Sequence, residues 1–244
     1  DLANAGADTD ATPNTITIDV TPVNDAPAGA DATVTTLEDA SYTFTAANFG
    51  FTDAQDAPAP HSLQNVIVDT LPANGTLTLN GVAVTAGQVV ASSDIGAGLL
   101  SFAPAANANG AAYASFTFRV QDGGGTANGG ADTATTPNTI TIDVTSVNDA
   151  PAGADSTITT LEDTPHVMTA AEFGFTDTDD SPGNSLAAVI ITALPANGSL
   201  TLNGVAVSLN QSVTVADIAA GLLVFAPALN GNGTAYAGFS FQVQ

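Results

Sequence analysis

From Thr15 to Val20 the chain reads Thr-Ile-Thr-Ile-Asp-Val, with apolar and polar side chains in alternation. A period of two belongs to a strand with one face buried and the other in water, so a strand is predicted there. Thr33 to Thr36, Tyr42 to Thr45, Leu63 to Val68 and Leu99 to Ala103 are further short runs of β-branched, aromatic or leucine side chains among turn residues, and each predicts another strand. In Tyr113 to Gln121, Phe116, Phe118 and Val120 fall on one face and Thr117, Arg119 and Gln121 on the other, which directs the arginine to solvent. Thr76 to Val84 predicts a hairpin, because Asn80-Gly81 sits between alternating apolar residues and a two-residue turn of matching twist needs positive φ at both positions. Leu37-Glu38-Asp39 reads as an acidic turn, and Phe49 to Asp53 leads into an acidic loop running through Asp56 to Pro60. Ser93-Asp94-Ile95 predicts a helical turn capped by a serine. No long helix is indicated.

The pattern then restarts. Val-Asn-Asp-Ala-Pro at Val23 to Pro27 returns at Val147 to Pro151, 124 residues later. Both copies follow Pro-Asn-Thr-Ile-Thr-Ile-Asp-Val-Thr, beginning at Pro13 and Pro137, and both precede Ala-Gly-Ala-Asp. A period of this length suits a repeat that is a whole small domain rather than a solenoid unit. Residues 1–24 read as the last strand of a preceding repeat plus a linker, 25–148 as a complete repeat, and 149–244 as a second repeat lacking its last strand. Within the second, Leu194 to Val207, Asp217 to Pro227 and Tyr236 to Gln244 follow their counterparts at an offset of 123, one residue having been lost near Ser181 to Ser185. Seven or more short strands per repeat, with turn chemistry at regular intervals, predict an all-β fold of tandem Greek-key β-sandwiches.

Charge narrows the function. Across 244 residues there are 24 acidic side chains against a single arginine and no lysine, a net charge of −23. Nucleic acid and anionic membrane are bound through cations and are excluded as partners. Carboxylates at this density call for bound cations, hard divalent ions being the usual neutraliser, or else serve only to keep the surface soluble. The absence of cysteine rules out disulfides, thiolate metal sites and cysteine nucleophiles. No apolar run approaches the roughly 20 residues that span a bilayer, and no basic-then-apolar leader opens the sequence.

The Val-Asn-Asp-Ala-Pro junctions, the Gly-Thr-Leu-Thr-Leu-Asn-Gly hairpin at Gly75 to Gly81, the Asp-Ile-x-Ala-Gly-Leu-Leu turn at Asp94 to Leu100 and the Phe-x-Phe-x-Val-Gln strand at Phe116 to Gln121 resemble the cadherin-like tandem repeats of giant bacterial surface adhesins, including the repeats-in-toxin type. The resemblance implies immunoglobulin/cadherin-like sandwiches in an elongated array, exported by type I secretion to the bacterial surface, acting as extracellular spacers and stiffened by calcium at the junctions. Strand order gives these residues a place. If the first strand runs away from the preceding junction, Glu38 and Asp39 lie at the far end of the repeat, while the Asp53 to Asp56 loop and Asp122 return to the near end. The junction between the repeats would then gather Glu38, Asp39, Asn148, Asp149, Asp177 and Asp179. The upstream one would gather Asn24, Asp25, Asp53, Asp56 and Asp122. The set departs from the cadherin pattern: Pro22 or Ser146 stands where the first linker aspartate would be, the last linker asparagine is missing, and Asp-x-Asp becomes Asp53-Ala54-Gln55-Asp56 upstream. Turn acids bonding their own backbone remain the alternative reading.

Other chemistry is thin. His61 falls at the one-residue gap and His166 aligns with Tyr42, so neither histidine recurs, and no serine, histidine and acid form a recognisable catalytic motif. No enzyme is expected. Asn-Gly-Thr/Ser at Asn74, Asn197 and Asn232 matches the glycosylation pattern but is explained by turns. A ligand-binding adhesin domain, gripping a sugar or a host protein, is the other functional reading; it would carry exposed aromatics, whereas tryptophan is absent and the aromatics recur at inward-facing positions. The unmatched strands set a last expectation. Thr15 to Val20 of one copy would lie against Phe239 to Val243 of the next in a head-to-tail fibre, or the same pairing would arise covalently in a longer array.

Overall fold

The structure, a computed structural model, describes Ala7 and residues 9–244; of the segment 1–24, residues 1–6 and 8 lie outside the described residues. Among the described residues the first half carries nine strands: β1 (Ala32–Leu37), β2 (Tyr42–Thr43), β3 (Leu63–Val68), β4 (Thr76–Leu79), β5 (Val82–Ala83), β6 (Gln88–Ala91), β7 (Leu100–Ala103), β8 (Gly110–Asp122) and β9 (Asn138–Thr145), with the short α-helix α1 (Ser92–Gly96) between β6 and β7. They form a five-stranded sheet in the order β1-β9-β8-β3-β6 and a four-stranded one in the order β2-β7-β4-β5. The second half follows with β10 (His166–Val167), β11 (Ala188–Ala193), β12 (Ser199–Leu202), β13 (Val205–Ala206), β14 (Ser212–Thr214), α2 (Val215–Ala219), β15 (Leu223–Ala226) and β16 (Ser240–Val243). Its sheets are β14-β11-β16 and β10-β15-β12-β13. The protein is therefore all-β.

Alternation decides what is buried. Phe116, Phe118 and Val120 of β8 meet Val66 and Val68 of β3, Ile140 and Ile142 of β9, and Leu77, Leu100 and Phe102 of the other sheet in one buried cluster. Each such side chain contributes about 1.5–3 kcal/mol by leaving water. Rings lock the centre: Phe44 meets Tyr42 and Phe116 edge-on at 5.0 and 5.5 Å between centroids, and Phe49 meets Phe118 at 4.9 Å. A separate cluster around Phe173, Ile191, Leu200 and Leu223 serves the second half, with the Phe173–Phe241 contact again at 4.9 Å.

The hairpins form as expected. Leu79 pairs with Val82 across Asn80-Gly81, whose φ values are +50° and +75°, and Asn203-Gly204 repeats this at +50° and +76°. The helical turn at Ser93-Asp94-Ile95 forms as expected, but its cap is not a serine. The chain leaves β6 extended at Ala91, which holds the cap position of α1 without a side-chain bond, so the serines lie inside the turn; at α2 Thr214 is the cap, its hydroxyl accepting from the Asp217 N–H at 3.1 Å. Arg119 lies on the outward face as expected, its side chain 37% exposed. Asp69 lies across from it, and its carboxylate takes the guanidinium through two nitrogens, at 3.0 and 2.8 Å.

The largest difference concerns two copies of one sequence. Asn138 to Thr145 is β9, inserted between β1, in parallel pairing, and β8, in antiparallel pairing. Asn14 to Thr21 is the same eight residues, yet it belongs to no strand, because no sheet edge lies beside it; Ile16, Ile18 and Val20 are 88%, 80% and 87% exposed. In the second half β16 pairs with β11 alone, and residues 156–161, which the 124-residue period aligns with β1, form no strand. Among the described residues no helix is long and apolar enough to cross a membrane.

Candidate metal centres

The acidic residues gather where strands of the first half begin and end. At the downstream end, the turn after β1 carries Glu38 and Asp39. Glu38 is only 2% exposed: its Oε1 accepts from the Val147 N–H, and its Oε2 from Asn109 Nδ2 at 2.8 Å. Asp39 is exposed and turned back by a φ of +59°, accepting from the Asn107 N–H at 3.2 Å. The linker leaving β9 brings Asp149 beside them, and its N–H donates to Asp180 Oδ1 at 3.1 Å. Glu38, Asp149 and Asp180 each thereby place an oxygen within 4.8 Å of the others.

That cluster resolves the expected residues into a core and a margin. Asp180 completes the inner set where Asp179 was expected; Asp179 is exposed, although its charge still reaches Asp149. Burial first, then the charges of Asp39, Asp180, Glu38 and Asp179, hold the Asp149 carboxyl above the usual carboxylate range. Asp177 stands in the same loop, its Oδ2 accepting from the Asn184 N–H. Asn148 is exposed on the linker and accepts from Asn184 Nδ2 at 2.7 Å, while the same Nδ2 reaches Asp180 Oδ2 at 3.1 Å.

The upstream end is built on the same plan. The Asp25 N–H donates to Asp56 Oδ1 at 3.1 Å, as Asp149 does to Asp180, and Asp53 Oδ2 accepts from the His61 N–H, as Asp177 does from Asn184. Asp53 and Asp122 are 7% and 0% exposed. Asp122 accepts from Asn24 Nδ2 at 3.1 Å and from the Gly124 N–H at 2.8 Å, tying the linker to the end of β8. Asp53, Asp56 and His61 form a second group with ligand atoms within 4.8 Å of one another, His61 Nδ1 lying 3.5 Å from Asp53 and 3.4 Å from Asp56. His61 therefore does have a counterpart, Asn184, which occupies the same place in the loop.

A further observation bears on what these groups can do. Asn24 Oδ1, Asp53 Oδ1, Asp149 Oδ2 and Asp177 Oδ1 are buried side-chain atoms without a hydrogen-bond partner, and among the described residues they are the ones in that condition. Asp53 and Asp149 belong to the two groups, Asp177 is linked to Asp180 through Asn184, and Asn24 precedes Asp25, whose N–H donates to Asp56. A buried carboxylate oxygen without donor or counterion is costly. Convergent oxygens of this kind fit a hard divalent cation, which takes six to eight oxygen ligands. Glu38, Asp149, Asp177 and Asp180 are the side chains suited to hold one downstream, and Asn24, Asp53 and Asp56 upstream.

Asp180 and His61 were absent from the sequence-derived ligand set. The signal for Asp180 was present in the 124-residue period, which carries Asp56 onto it, but Asp177-Thr178-Asp179 offered a competing spacing. Compared with family models, curated proteins and solved structures, the chain matches none.

Proposed function

We propose that the chain is a structural spacer of a bacterial extracellular adhesin or surface fibre, built of tandem immunoglobulin/cadherin-like Greek-key β-sandwich repeats and stiffened by calcium at their junctions. Residues 25–148 are one complete repeat in this reading and 149–244 belong to the next. The observation that carries it is that, among the described residues, the buried, unpartnered side-chain oxygens lie in or next to the two acidic clusters at the ends of the first half. A cation bound there ties together the turn after β1 (Glu38), the linker (Asp149) and the loop of the second half (Asp180), so binding energy becomes resistance to hinging. Oxygen-only chemistry downstream favours calcium over softer metals. The burial of Phe116, Phe118 and Phe102 in cores, rather than on an exposed platform, agrees with a spacer more than with a ligand-binding module. No catalytic role is assigned.

Calcium titration of the metal-free chain tests this. The melting temperature is expected to rise with calcium and fall again with chelator; Asp177→Ala and Asp149→Ala should each blunt the rise. Asp69→Ala, which removes only the half-exposed partner of Arg119, should leave the calcium response intact at a cost below about 1 kcal/mol. A melting temperature indifferent to calcium would overturn the reading.

A further inference from the structure

The two acidic groups share a plan but not a donor set. Where the downstream loop carries Asn184, the upstream loop carries His61, one of two histidines in the chain. The other, His166, pairs with Glu172, Nε2 to Oε1 at 2.8 Å, and belongs to neither group. The His61 N–H donates to Asp53 Oδ2, which fixes the backbone against that carboxylate. Its ring turns back to the same place, with Nδ1 3.5 Å from Asp53 Oδ2 and 3.4 Å from Asp56 Oδ2. Neighbouring ligand atoms around one tetrahedral ion stand about 3.4 Å apart when its bonds are about 2.1 Å long, as zinc bonds to imidazole and carboxylate are.

Two oxygens at this group await a partner. The Asp53 side chain is 1% exposed, yet its Oδ1 meets no donor. The counterpart atom in the downstream loop, Asp177 Oδ1, is bare in the same way, so the feature belongs to the plan of the loop. Asn24 Oδ1 is the second oxygen. The Asn24 amide nitrogen donates to Asp122 Oδ1 at 3.1 Å and to the Ala131 carbonyl oxygen at 2.7 Å, which turns the amide oxygen the other way. There it stands beside His61: a Cβ added at Gly124 would lie 1.8 Å from Asn24 Oδ1 and 2.7 Å from His61 Cε1, so the bare glycine is what lets the two side chains approach.

We propose that Asp53, Asp56 and His61, with Asn24 Oδ1 beside them, form a site for a divalent ion of the zinc class, different in its ion from the calcium site at Glu38, Asp149 and Asp180. An imidazole nitrogen suits zinc and its first-row neighbours, whereas calcium takes oxygen ligands. Two carboxylates balance the charge of a divalent ion, and the neutral ring adds a bond without adding charge. Three side-chain ligands of this kind leave a fourth position to Asn24 Oδ1 or to water, which the 39% exposure of the His61 side chain admits. The inference rests on the reading of both groups as cation sites and departs from it only in the ion held upstream. The two ends of the first half then answer to different metals.

Long-range proton–nitrogen NMR of the metal-free 244-residue chain resolves the two histidine rings and reads the site directly as zinc chloride is added in excess calcium. With stoichiometric zinc, His61 Nδ1 should move to the shift of a metal-bound nitrogen while the His166 ring stays in place. His61→Asn, which copies the downstream loop, should weaken zinc binding in calorimetry at least about 100-fold, since loss of an outer-shell partner alone costs about 10–100-fold. His166→Asn should leave the zinc affinity unchanged. Zinc that leaves His61 Nδ1 unmoved, zinc binding that survives His61→Asn, or displacement of zinc by an equal concentration of calcium would overturn the inference. Calcium-dependent melting through Asp149 and Asp177 is a separate readout: its absence beside a zinc-bound His61 would remove the calcium-stiffened spacer and keep the zinc site, and its presence beside an unmoved His61 would do the reverse.

Discussion

Asp149 is the residue on which charge and cation act in opposite directions. Its carboxyl is held above the ordinary range, so the folded state binds protons more readily than the unfolded chain, and stability falls as pH rises through the interval between the two values. With the carboxyl ionised and no cation, repulsion from Glu38 and Asp180 works against the junction. Asp149→Asn should therefore raise the melting temperature in chelator and lower it, relative to the unsubstituted chain, in calcium; a shift of the same sign in both would contradict the cluster's geometry. Glycines give a second contrast. A side chain at Gly81 meets open space, so Gly81→Val is opposed only by its φ of +75° and should cost somewhat more than about 1 kcal/mol. At Gly75, also at positive φ, a Cβ would run into the Phe102 ring and the Ala103 carbonyl oxygen. Chemical denaturation should accordingly find Gly75→Ala more damaging than Gly81→Ala. Local chemistry of this kind was legible in the sequence, since Asn-Gly turns and acidic turns are decided by a few neighbouring residues.

Among the elements, β9 and its copy at 14–21 separate what sequence dictates from what context dictates. Alternation marked both as strands, and one of them is. Ile142 is fully buried while Ile18 is 80% exposed, although both stand in Thr-Ile-Asp. Denaturation of dilute protein should find Ile142→Ala destabilising by about 2–5 kcal/mol and Ile18→Ala near neutral; equal losses would mean that the segment at 14–21 is packed. Elements with non-local causes were less legible. β6, Gln88–Ala91, is four residues without clear alternation and becomes a strand by pairing with β3. The parallel contact of β1 with β9 joins residues more than 100 positions apart, and no local pattern announces it. The same holds for the metal site: carboxylates were recognisable as ligands one by one, but the choice of Asp180 depends on a loop whose N–H acceptors had to be seen folded.

For the whole molecule, the two clusters lie at opposite ends of the first half and are joined through β1 and β8, so cation binding at each end would fix successive halves through a stiff sheet rather than through a flexible tether. The linker at 146–151 is short, and Glu38 grips it at Val147, so freedom there is limited by whether the carboxylates around Asp149 are neutralised. Small-angle scattering of dilute protein measures this most directly. With calcium the maximum dimension should be long and sharply defined; with chelator it should shorten and the distance distribution broaden as the linker hinges. Superimposable curves in calcium and chelator would contradict a cation-stiffened junction.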